Sequence, residues 1–231
     1  MEAILKEGLA QLGLDTGSIP ALTEFSRRLL EKNQVMNLTA ITEPADVARL
    51  HLLDCACLLT AADFRGKQVV DVGTGAGFPG MPLRLLEPDF DMTLLDSLGK
   101  RIDFLQETVD AMGLQRVRCV HARAEEFAAE HRGQFDFATS RAVANLSVLC
   151  ELCLPYVKVG GLFLAMKSTD SAQELEDAAH CIKLLGARLE ECRDYTIPGT
   201  DVIHRLVVLR KVAPTLKGYP RRWAKIQKAP L

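Results

Sequence analysis

The run VVDVGTGAGFPG at residues 69–80 constrains the fold of this 231-residue chain more than any other feature. A short apolar segment leads into Gly73, Gly75 and Gly77, and an apolar helical pattern follows. Glycine adopts backbone angles that other residues avoid, and it lets the main chain approach a ligand closely. The first turn of the next helix offers unpaired N–H groups and a positive dipole. The run therefore predicts a strand–loop–helix unit that binds a nucleotide-like cofactor.

Two registers of this run indicate two classes of enzyme. The pattern GxGxxG beginning at Gly75 is typical of dinucleotide-binding dehydrogenases. The pattern DxGxGxG beginning at Asp71 is typical of S-adenosyl-L-methionine (AdoMet) methyltransferases and puts an acidic residue at the end of the strand. The second register also accounts for Pro79, because its missing N–H and fixed φ suit the first turn of a helix. We favour the second register and keep an NAD-dependent oxidoreductase as the alternative.

Strands and helices alternate after residue 67. Apolar runs predict strands over 68–72, 92–95, 117–121, 135–139 and 162–166, the last preceded by a turn at Gly160-Gly161. Helical patterns lie between them over 81–86, 100–112 and near 146–156, with another over 171–185. Two strands over 188–197 and 202–212 follow each other directly and predict an antiparallel pair. The expected fold is the α/β Rossmann-like fold of class I AdoMet methyltransferases: a mostly parallel seven-stranded sheet with a C-terminal antiparallel hairpin and a helical N-terminal extension.

We expect three segments along the chain. Residues 1–62 form the helical N-terminal extension, which we expect to face the substrate, with Ser18 as the N-cap of one helix. Residues 63–212 form the AdoMet-binding domain. Residues 213–231 form a basic C-terminal tail.

Charge is distributed unevenly along the chain. The net charge is −2, yet the segment 211–231 holds six basic residues and no acidic one; without those six, 22 basic residues stand against 30 acidic ones. This asymmetry favours a polyanionic partner, and the alternative is a tail that is solvated or paired with the acidic body. Arg221, Arg222 and Trp223 place cations beside an aromatic ring, a mixture that pairs phosphates and stacks bases. Trp223 has the alternative of packing on the core.

Polar residues follow the predicted strands where a parallel sheet binds ligands. Asp96 ends the second strand, 25 residues after Asp71, at a spacing suited to a carboxylate that accepts hydrogen bonds from ribose hydroxyls. Ala124 and Glu125 follow the third strand, where AdoMet enzymes contact adenine. The sequence SRAV at 140–143 follows the fourth strand and puts Arg141 near the reacting end.

The region after the fourth strand also indicates the acceptor. The chain has neither the Asp/Asn-Pro-Pro-aromatic motif of amino-directed methyltransferases nor the Pro-Cys nucleophile of pyrimidine-C5 enzymes. An acceptor with a free lone pair, such as N7 of guanine, loses no proton when it is methylated. Catalysis then needs mainly in-line positioning, for which Arg141 is the candidate, without a covalent intermediate.

Other features exclude several classes of protein. Seven cysteines, an odd number, do not predict a disulfide framework, and Cys150 and Cys153 lie in an apolar helical stretch that indicates buried thiols. The histidines lack metal-ligand spacing, so we expect no metal. The chain has no run of 18 apolar residues and no secretory signal at its start, so we expect a cytoplasmic protein without a membrane span.

Six runs of the chain resemble the ribosomal RNA small subunit methyltransferase G family, also called glucose-inhibited division protein B. They are NLTAIT (37–42), HLLD (51–54), DVGTGAGFPGMPL (71–83), LLDSLGKRIDFL (94–105), RAEEF (123–127) and TSRAVANL (139–146). The resemblance implies methylation of N7 of one guanine in the decoding-region loop of bacterial 16S rRNA, with AdoMet as cofactor and S-adenosyl-L-homocysteine as product. The partner is then 16S rRNA or the small ribosomal subunit, and we expect a monomer. A third hypothesis is a ribosome-assembly or RNA-binding protein with a vestigial cofactor site.

The resemblance also implies roles for individual residues. Gly73 and Phe78 contact AdoMet in the first loop, where Gly75 and Gly77 complete the glycine pattern. Asp96 binds the ribose, Ala124 and Glu125 the adenine, and Arg141 completes the pocket. A substrate-facing surface is expected to include Asn37, His51, Asp54, Lys100 and Arg101, with Arg221, Arg222 and Trp223 of the tail. His51 and Asp54 share a helix face and have the alternative of a satisfied surface pair.

Overall fold

A computed structural model describes residues 1–141, 144–169 and 172–231 and contains one seven-stranded sheet. The strands are β1 (Gln68–Val72), β2 (Asp91–Asp96), β3 (Val117–His121), β4 (Phe135–Arg141), β5 (Val157–Ser168), β6 (Ala187–Thr196) and β7 (Ile203–Lys211). Their order across the sheet is β3-β2-β1-β4-β5-β7-β6. The first five strands run parallel, and β7 is antiparallel to both β5 and β6. The predicted fold class is confirmed.

Helices cover the sheet and form the N-terminal part of the chain. They are α1 (Glu2–Gln11), α2 (Ile19–Met36), α3 (Pro44–Asp46), α4 (Asp54–Ala56), α5 (Gly80–Leu86), α6 (Gly99–Ala111), α7 (Ala124–Phe127), α8 (Leu146–Cys153), α9 (Ala172–Asp177), α10 (Ala179–Leu184) and α11 (Trp223–Lys228). A π-helical segment, Val47–Leu53, joins α3 to α4, and 3-10 turns follow α4 and α8. Residues 44–60 therefore form one continuous helical rod.

The strand order opens a crevice at the carboxyl ends of β1 and β4. From β1 the chain proceeds outward to β2 and β3 on one side and then crosses to β4 and β5 on the other. The loops after β1 and β4 therefore leave the sheet in opposite directions, and sheets of this kind bind ligands where the order reverses. The fold places the functional site at this point.

Two apolar clusters lie on the two faces of the sheet. Val69 belongs to the first and Val70 to the second, as side chains alternate along a strand. The first cluster also takes in fully buried residues of the N-terminal helices, including Leu5, Leu22 and Phe25. The N-terminal helices thus share a core with the sheet, and this core fixes the loop that follows α2 beside the crevice.

The structure corrects the predicted turn at Gly160-Gly161. Both glycines lie inside β5, where the pairing shifts from Phe135–Val157 to Phe137–Leu162. A Cβ at Gly161 would lie 2.3 Å from the carbonyl oxygen of Asp136, so the neighbouring strand requires a glycine there. The prediction of a turn was wrong because paired glycines mark strand irregularities as well as turns.

Two helix predictions need smaller corrections. Helix α2 begins directly after Ser18, but the Ser18 hydroxyl makes no hydrogen bond to any described residue, so the position is confirmed and the capping bond is not. The predicted helix 171–185 is two helices, α9 and α10, separated at Ala178. Residue 171 of that helix, and residues 142 and 143 of the SRAV motif, lie outside the described residues.

Candidate active site

A cavity of about 530 Å³ opens at the carboxyl ends of β1 to β4. Its volume lies in the range of small-molecule and cofactor sites. Its lining comes from the loops after these strands, from the N-terminal helical part and from the C-terminal tail. Among the lining residues are Leu38, Thr39, His51, Gly73, Thr74, Gly75, Phe78, Asp96, Leu98, Arg101, Arg123, Ala124, Glu125, Arg141, Leu152 and Trp223.

The loop after β1 owes its shape to three glycines. Gly73, Gly75 and Gly77 have φ angles of 70°, 60° and 100°, in a region that disfavours residues with a Cβ. A Cβ at Gly77 would also lie 2.7 Å from Cγ of Met81. Gly73 and Gly75 line the cavity. Gly77 does not line it, and its lack of a side chain lets the loop pack on α5. The glycine pattern thus has two functions, an open cradle and a tight turn into the helix.

The carboxylate of Asp71 holds this loop from inside the protein. It is fully buried and accepts hydrogen bonds from Thr74 Oγ1 (2.6 Å), the Gly80 backbone N–H (2.9 Å) and Thr139 Oγ1 (3.0 Å). Burial raises its pKa to about 6. Asp71 therefore ties β1 to the loop, to the start of α5 and to β4, which explains why an acidic residue precedes the glycines.

Asp96 presents a carboxylate at the end of β2. It is 4% exposed and accepts hydrogen bonds from the backbone N–H groups of Gly75 (2.8 Å) and Leu98 (2.9 Å). Arg101 Nη1 lies 3.6 Å from Oδ2. Each carboxylate oxygen has a second lone pair, so Asp96 keeps acceptor capacity for a hydroxyl in the cavity.

The residues after β3 form a short arm of the cavity. The Glu125 side chain is almost buried and accepts a 2.6 Å hydrogen bond from Arg123 Nε. The carbonyl of Ala124 accepts a hydrogen bond from the Tyr156 hydroxyl. Ala124 and Glu125 both line the cavity, next to Arg123. The two side-chain bonds fix the backbone of this arm.

Arg141, at the end of β4, contacts His51 and Asp54, the two residues predicted to share a helix face. Its Nη1 donates to Asp54 Oδ2 (3.1 Å), its Nη2 donates to His51 Nδ1 (3.0 Å), and its guanidinium lies 4.7 Å from the centre of the Phe78 ring. On the ring of His51, Nδ1 also lies 3.2 Å from the Leu50 carbonyl oxygen, and Nε2 forms a 2.8 Å hydrogen bond with Thr39 Oγ1. Burial, reinforced by the charge of Arg141, lowers the pKa of His51 to about 4. His51 is therefore neutral near pH 7, with both ring nitrogens engaged.

Asp54 collects three donors from three strands. Besides Arg141, it accepts hydrogen bonds from the Tyr195 hydroxyl (2.8 Å) on β6 and His204 Nδ1 (2.9 Å) on β7. The bond to Asp54 raises the pKa of His204, and burial raises that of Tyr195. Asp54 is fully buried, so it lies behind Arg141 and holds it from the side away from the cavity.

The predicted site residues fall into three groups. Gly73, Gly75, Phe78, Asp96, Ala124, Glu125 and Arg141 line the cavity together, as do His51, Arg101 and Trp223. A second group is exposed: Asn37 at the end of α2, Lys100 at the start of α6 and Arg222 on the tail. A third group does not reach the cavity: Gly77 packs against Met81, Arg221 pairs with Glu151, and Asp54 is fully buried and not on the substrate-facing surface predicted for it. Thr39 and Leu38 of the lining were not predicted as site residues, although both lie in the NLTAIT run. Tyr195 and His204 were not predicted either, and the sequence carries no local signal for them.

The basic tail is less free than its charge suggested. Lys211 is buried, donates a 2.6 Å hydrogen bond to the Leu185 carbonyl, and has its pKa lowered to about 8 by burial. Arg221 forms a bidentate pair with Glu151, whose side chain is 0% exposed. Arg221 therefore pairs with the acidic body of the protein, as one of the two interpretations of the tail predicted. We do not include Arg221 in the proposed RNA-binding surface. The tail cations that stay exposed are Lys217, Arg222, Lys225 and Lys228.

Two further findings concern metals and membranes. Within residues 1–141, 144–169 and 172–231, no three His, Cys, Asp or Glu side chains come together as a metal site would require. Across those same residues, each helix is too short or too polar to cross a lipid bilayer.

Several solved structures superpose on this chain with TM-scores just above 0.5. TrmN from Thermus thermophilus has a TM-score of 0.54 and 23% identity, over 68% of this chain and 48% of that one. TYW2 from M. jannaschii, solved in complex with AdoMet, has a TM-score of 0.52 and 14% identity, over 65% of this chain and 72% of that one. At these identities the likeness shows the fold alone.

Sequence relatives are much closer. The family model described as rRNA small subunit methyltransferase G (GidB) matches residues 18–198. A ribosomal RNA small subunit methyltransferase G of Clostridium perfringens (strain 13 / Type A) is 47% identical over 206 residues, 88% of this chain and 86% of the relative. One of Alkaliphilus metalliredigens (strain QYMF) is 43% identical over 233 aligned residues, 99% of this chain and 98% of the relative. The chain belongs to the rRNA small subunit methyltransferase G family.

Proposed function

We propose that this protein transfers a methyl group from AdoMet to N7 of one guanine in the decoding-region loop of 16S rRNA. The observation that carries the proposal is the cavity at the sheet reversal. It gathers Gly73, Asp96, Glu125 and Arg141, which lie at or just after the carboxyl ends of four different strands, into one lining. Membership of the rRNA small subunit methyltransferase G family supports the reaction and the substrate class.

The lining suits a nucleoside-containing cofactor. Gly73 and Gly75 form a cradle without side chains, which lets the carboxylate end of AdoMet approach the main chain closely. We propose that Asp96, nearly buried and with acceptor capacity to spare, binds the ribose hydroxyls. Ala124 and Glu125 are the proposed adenine contacts. The side chains of Phe78 and Arg141 close the cavity beside the glycine loop.

The chemistry of the site suits an acceptor that needs no base. AdoMet, when bound, supplies an electrophilic methyl carbon and leaves as S-adenosyl-L-homocysteine. Both nitrogens of His51 are engaged, and Arg141 stays protonated, so neither withdraws a proton from the substrate. Burial raises the pKa of the Cys57 thiol to about 12 and that of Cys55 further, which disfavours a covalent intermediate. Direct transfer to a free lone pair, as at guanine N7, asks only for positioning.

The proposed RNA-facing surface surrounds the mouth of this cavity. Thr39 and Arg101 line the cavity, and Asn37 and Lys100 are exposed residues of the same loop and the same helix. Arg222 adds an exposed cation beside Trp223. Such groups contact phosphates and unstacked bases. The division into a substrate-facing segment 1–62, a cofactor domain 63–212 and a tail 213–231 remains part of this proposal.

Two alternative functions have less support: an NAD-dependent oxidoreductase, suggested by the GxGxxG register, and an RNA-binding assembly protein, suggested by the basic tail. An NAD-dependent oxidoreductase disagrees with the family assignment, and the antiparallel β7 departs from the continued parallel units of a dehydrogenase. An RNA-binding assembly protein with a vestigial site would not need an open glycine cradle facing a nearly buried carboxylate. We further propose that the protein acts as a monomer in the bacterial cytoplasm, where 16S rRNA or the small subunit is its partner.

The test uses labelled AdoMet with two substrates, deproteinised 16S rRNA and small subunits, both lacking the modification. The RNA is then digested and the methylated nucleoside identified. Label in 7-methylguanosine at one site is the expected result. Label in another nucleoside would replace the proposed acceptor, and AdoMet binding without any label would favour the assembly protein.

A further inference from the structure

The only tryptophan of the chain, Trp223, lies in the wall of the cavity. It comes from the segment after β7, outside the residues 18–198 that the family model matches. In the cavity wall it accompanies Arg123, Ala124 and Glu125, the arm after β3. The C-terminal segment therefore reaches back across the molecule to the end of the cavity where the proposed adenine contacts lie.

Anchors on both sides of Trp223 hold this segment in place. Two residues before it, Arg221 donates to the buried Glu151 of α8 through its backbone N–H (2.8 Å), Nε (2.8 Å) and Nη2 (2.6 Å). Three residues after it, Ile226 is fully buried in the second apolar cluster. Arg132 adds bonds to the carbonyls of Thr215 (2.7 Å) and Tyr219. We call residues 213–228 the strap.

A chain of side-chain contacts links the indole to the adenine arm. The guanidinium of Arg123 lies 5.4 Å from the centre of the Trp223 ring, and its Nε bonds to Glu125 at 2.6 Å. The cation–π contact orients the ring, and the ion pair ties it to a proposed adenine contact. The indole is half-buried, so it combines a fixed position with an open apolar surface at the cavity.

We propose that Trp223 is the outer wall of the adenine subsite and that the strap must stay docked for tight binding of the cofactor. The inference rests on the proposed function. An aromatic face stacks on a purine, and a ring held from both ends loses little freedom when the ligand arrives. The position of Trp223 beside Glu125 and its two anchors favour the cofactor base over an RNA base as the stacking partner.

The first test uses the unmodified protein. Since Trp223 is the sole tryptophan, its fluorescence reports on the subsite directly. Titration with S-adenosyl-L-homocysteine should change the emission, with a half-saturation point equal to the Kd from calorimetry. Calorimetric binding without any change in emission would overturn the inference and leave the proposed function intact. No binding of AdoMet or S-adenosyl-L-homocysteine would remove the proposed function, and the inference with it.

The second test compares three variants in the full chain. Trp223→Ala should weaken S-adenosyl-L-homocysteine binding about tenfold, the order of one lost base stack, and weaken adenosine by the same factor. Trp223→Phe keeps an aromatic ring and should lose about threefold or less. Gln227→Ala, an exposed neutral change on the same helix, should bind as the wild type does. Thermal melts show that each variant is folded.

One outcome would reassign the residue. If Trp223→Ala binds S-adenosyl-L-homocysteine normally and binds 16S rRNA more weakly, the indole stacks on RNA and the inference is wrong. Equal losses in Trp223→Phe and Trp223→Ala would also contradict stacking on an aromatic face.

Discussion

Gly66 and Gly73 flank β1 and share a left-handed backbone with φ of 70°. Leucine at either position should cost about 1–2 kcal/mol of stability, because that region disfavours L-residues. Only Gly73 lines the cavity, whereas a Cβ at Gly66 would meet no described atom within 4 Å. Gly73→Leu should therefore abolish AdoMet binding in calorimetry, and Gly66→Leu should keep it at a similarly lowered Tm. Normal AdoMet affinity in Gly73→Leu would refute the placement of the cofactor.

His51, which contacts Arg141, and His204, which contacts Asp54, should have pKa values shifted in opposite directions. Burial lowers the pKa of His51 to about 4, and the bond to Asp54 raises that of His204 above 6.5. In NMR spectra assigned with His51→Gln and His204→Gln, the His51 ring signals should stay constant from pH 5 to 8. Those of His204 should move with a midpoint above 6.5. A midpoint near 6.5 for His51 would show that its ring is not buried beside Arg141.

The same shifts set the sign of their contributions to stability. The pKa of His51 is lower in the folded than in the unfolded chain, so its contribution is present above pH 6.5 and is lost as the pH falls toward 4. The pKa of His204 is raised, so its contribution is present below pH 6.5 and is lost as the pH rises through its folded value. Urea denaturation from pH 4 to 8 should give a shallower acid loss of unfolding free energy for His51→Gln than for the wild type.

Single site residues were predictable where a short motif marks the end of a strand. Asp96 and Arg141 each follow an apolar run, and the parallel sheet brings such ends together. Tyr195 and His204 stand in alternating strands with nothing to distinguish them. Their role depends on an antiparallel hairpin placing them beside Asp54, which local sequence does not encode.

At the scale of elements, strands were predicted to within one or two residues where apolar runs end at polar ones. The main exception is β5, in which the irregularity at Gly160-Gly161 lets the strand begin at Val157, five residues before the predicted start at 162. The π-helical segment Val47–Leu53 was predicted only as helix. Seven residues make fewer than two turns of either helix, so their apolar spacing does not separate the α from the π repeat.

The contact between α8 and the strap includes an ion pair, Arg221–Glu151, whose carboxylate is fully buried. Arg221→Ala leaves the carboxylate of Glu151 buried without its partner, and we expect the unfolding free energy to fall by about 3–5 kcal/mol. The double variant Glu151→Leu/Arg221→Met replaces both charges with apolar groups and should recover most of that loss. Urea denaturation of the wild type, the single variants and the double variant measures both. Similar stability of Arg221→Ala and the wild type would show that the pair does not hold the strap.

At the scale of the whole molecule, the cavity and the basic C-terminal segment meet at the carboxyl ends of the parallel strands. Two of the six basic residues of 211–231, Lys211 and Arg221, are engaged inside the structure. The remaining cations are exposed on or near the strap, the segment that also carries Trp223 into the cavity wall. The sequence revealed the excess of charge in the tail, but only the fold separates its structural cations from those open to a partner.

The salt dependence of RNA binding tests this separation. Each cation that pairs with a phosphate of single-stranded RNA contributes about 0.7 to the slope of log K against log salt concentration. The triple variant Arg222→Gln/Lys225→Gln/Lys228→Gln should bind 16S rRNA more weakly at low salt, with a slope reduced by about 0.7 for each phosphate that is no longer neutralised. Arg65→Gln changes an exposed arginine that pairs with Asp63 just before β1, at the end of the strands away from the cavity; it is the control and should keep the slope. Unchanged S-adenosyl-L-homocysteine affinity in the triple variant would show that the strap is still docked. An unchanged slope would mean that these cations are merely solvated, and the RNA-facing surface would then be confined to Asn37, Lys100, Arg101 and their neighbours around the cavity.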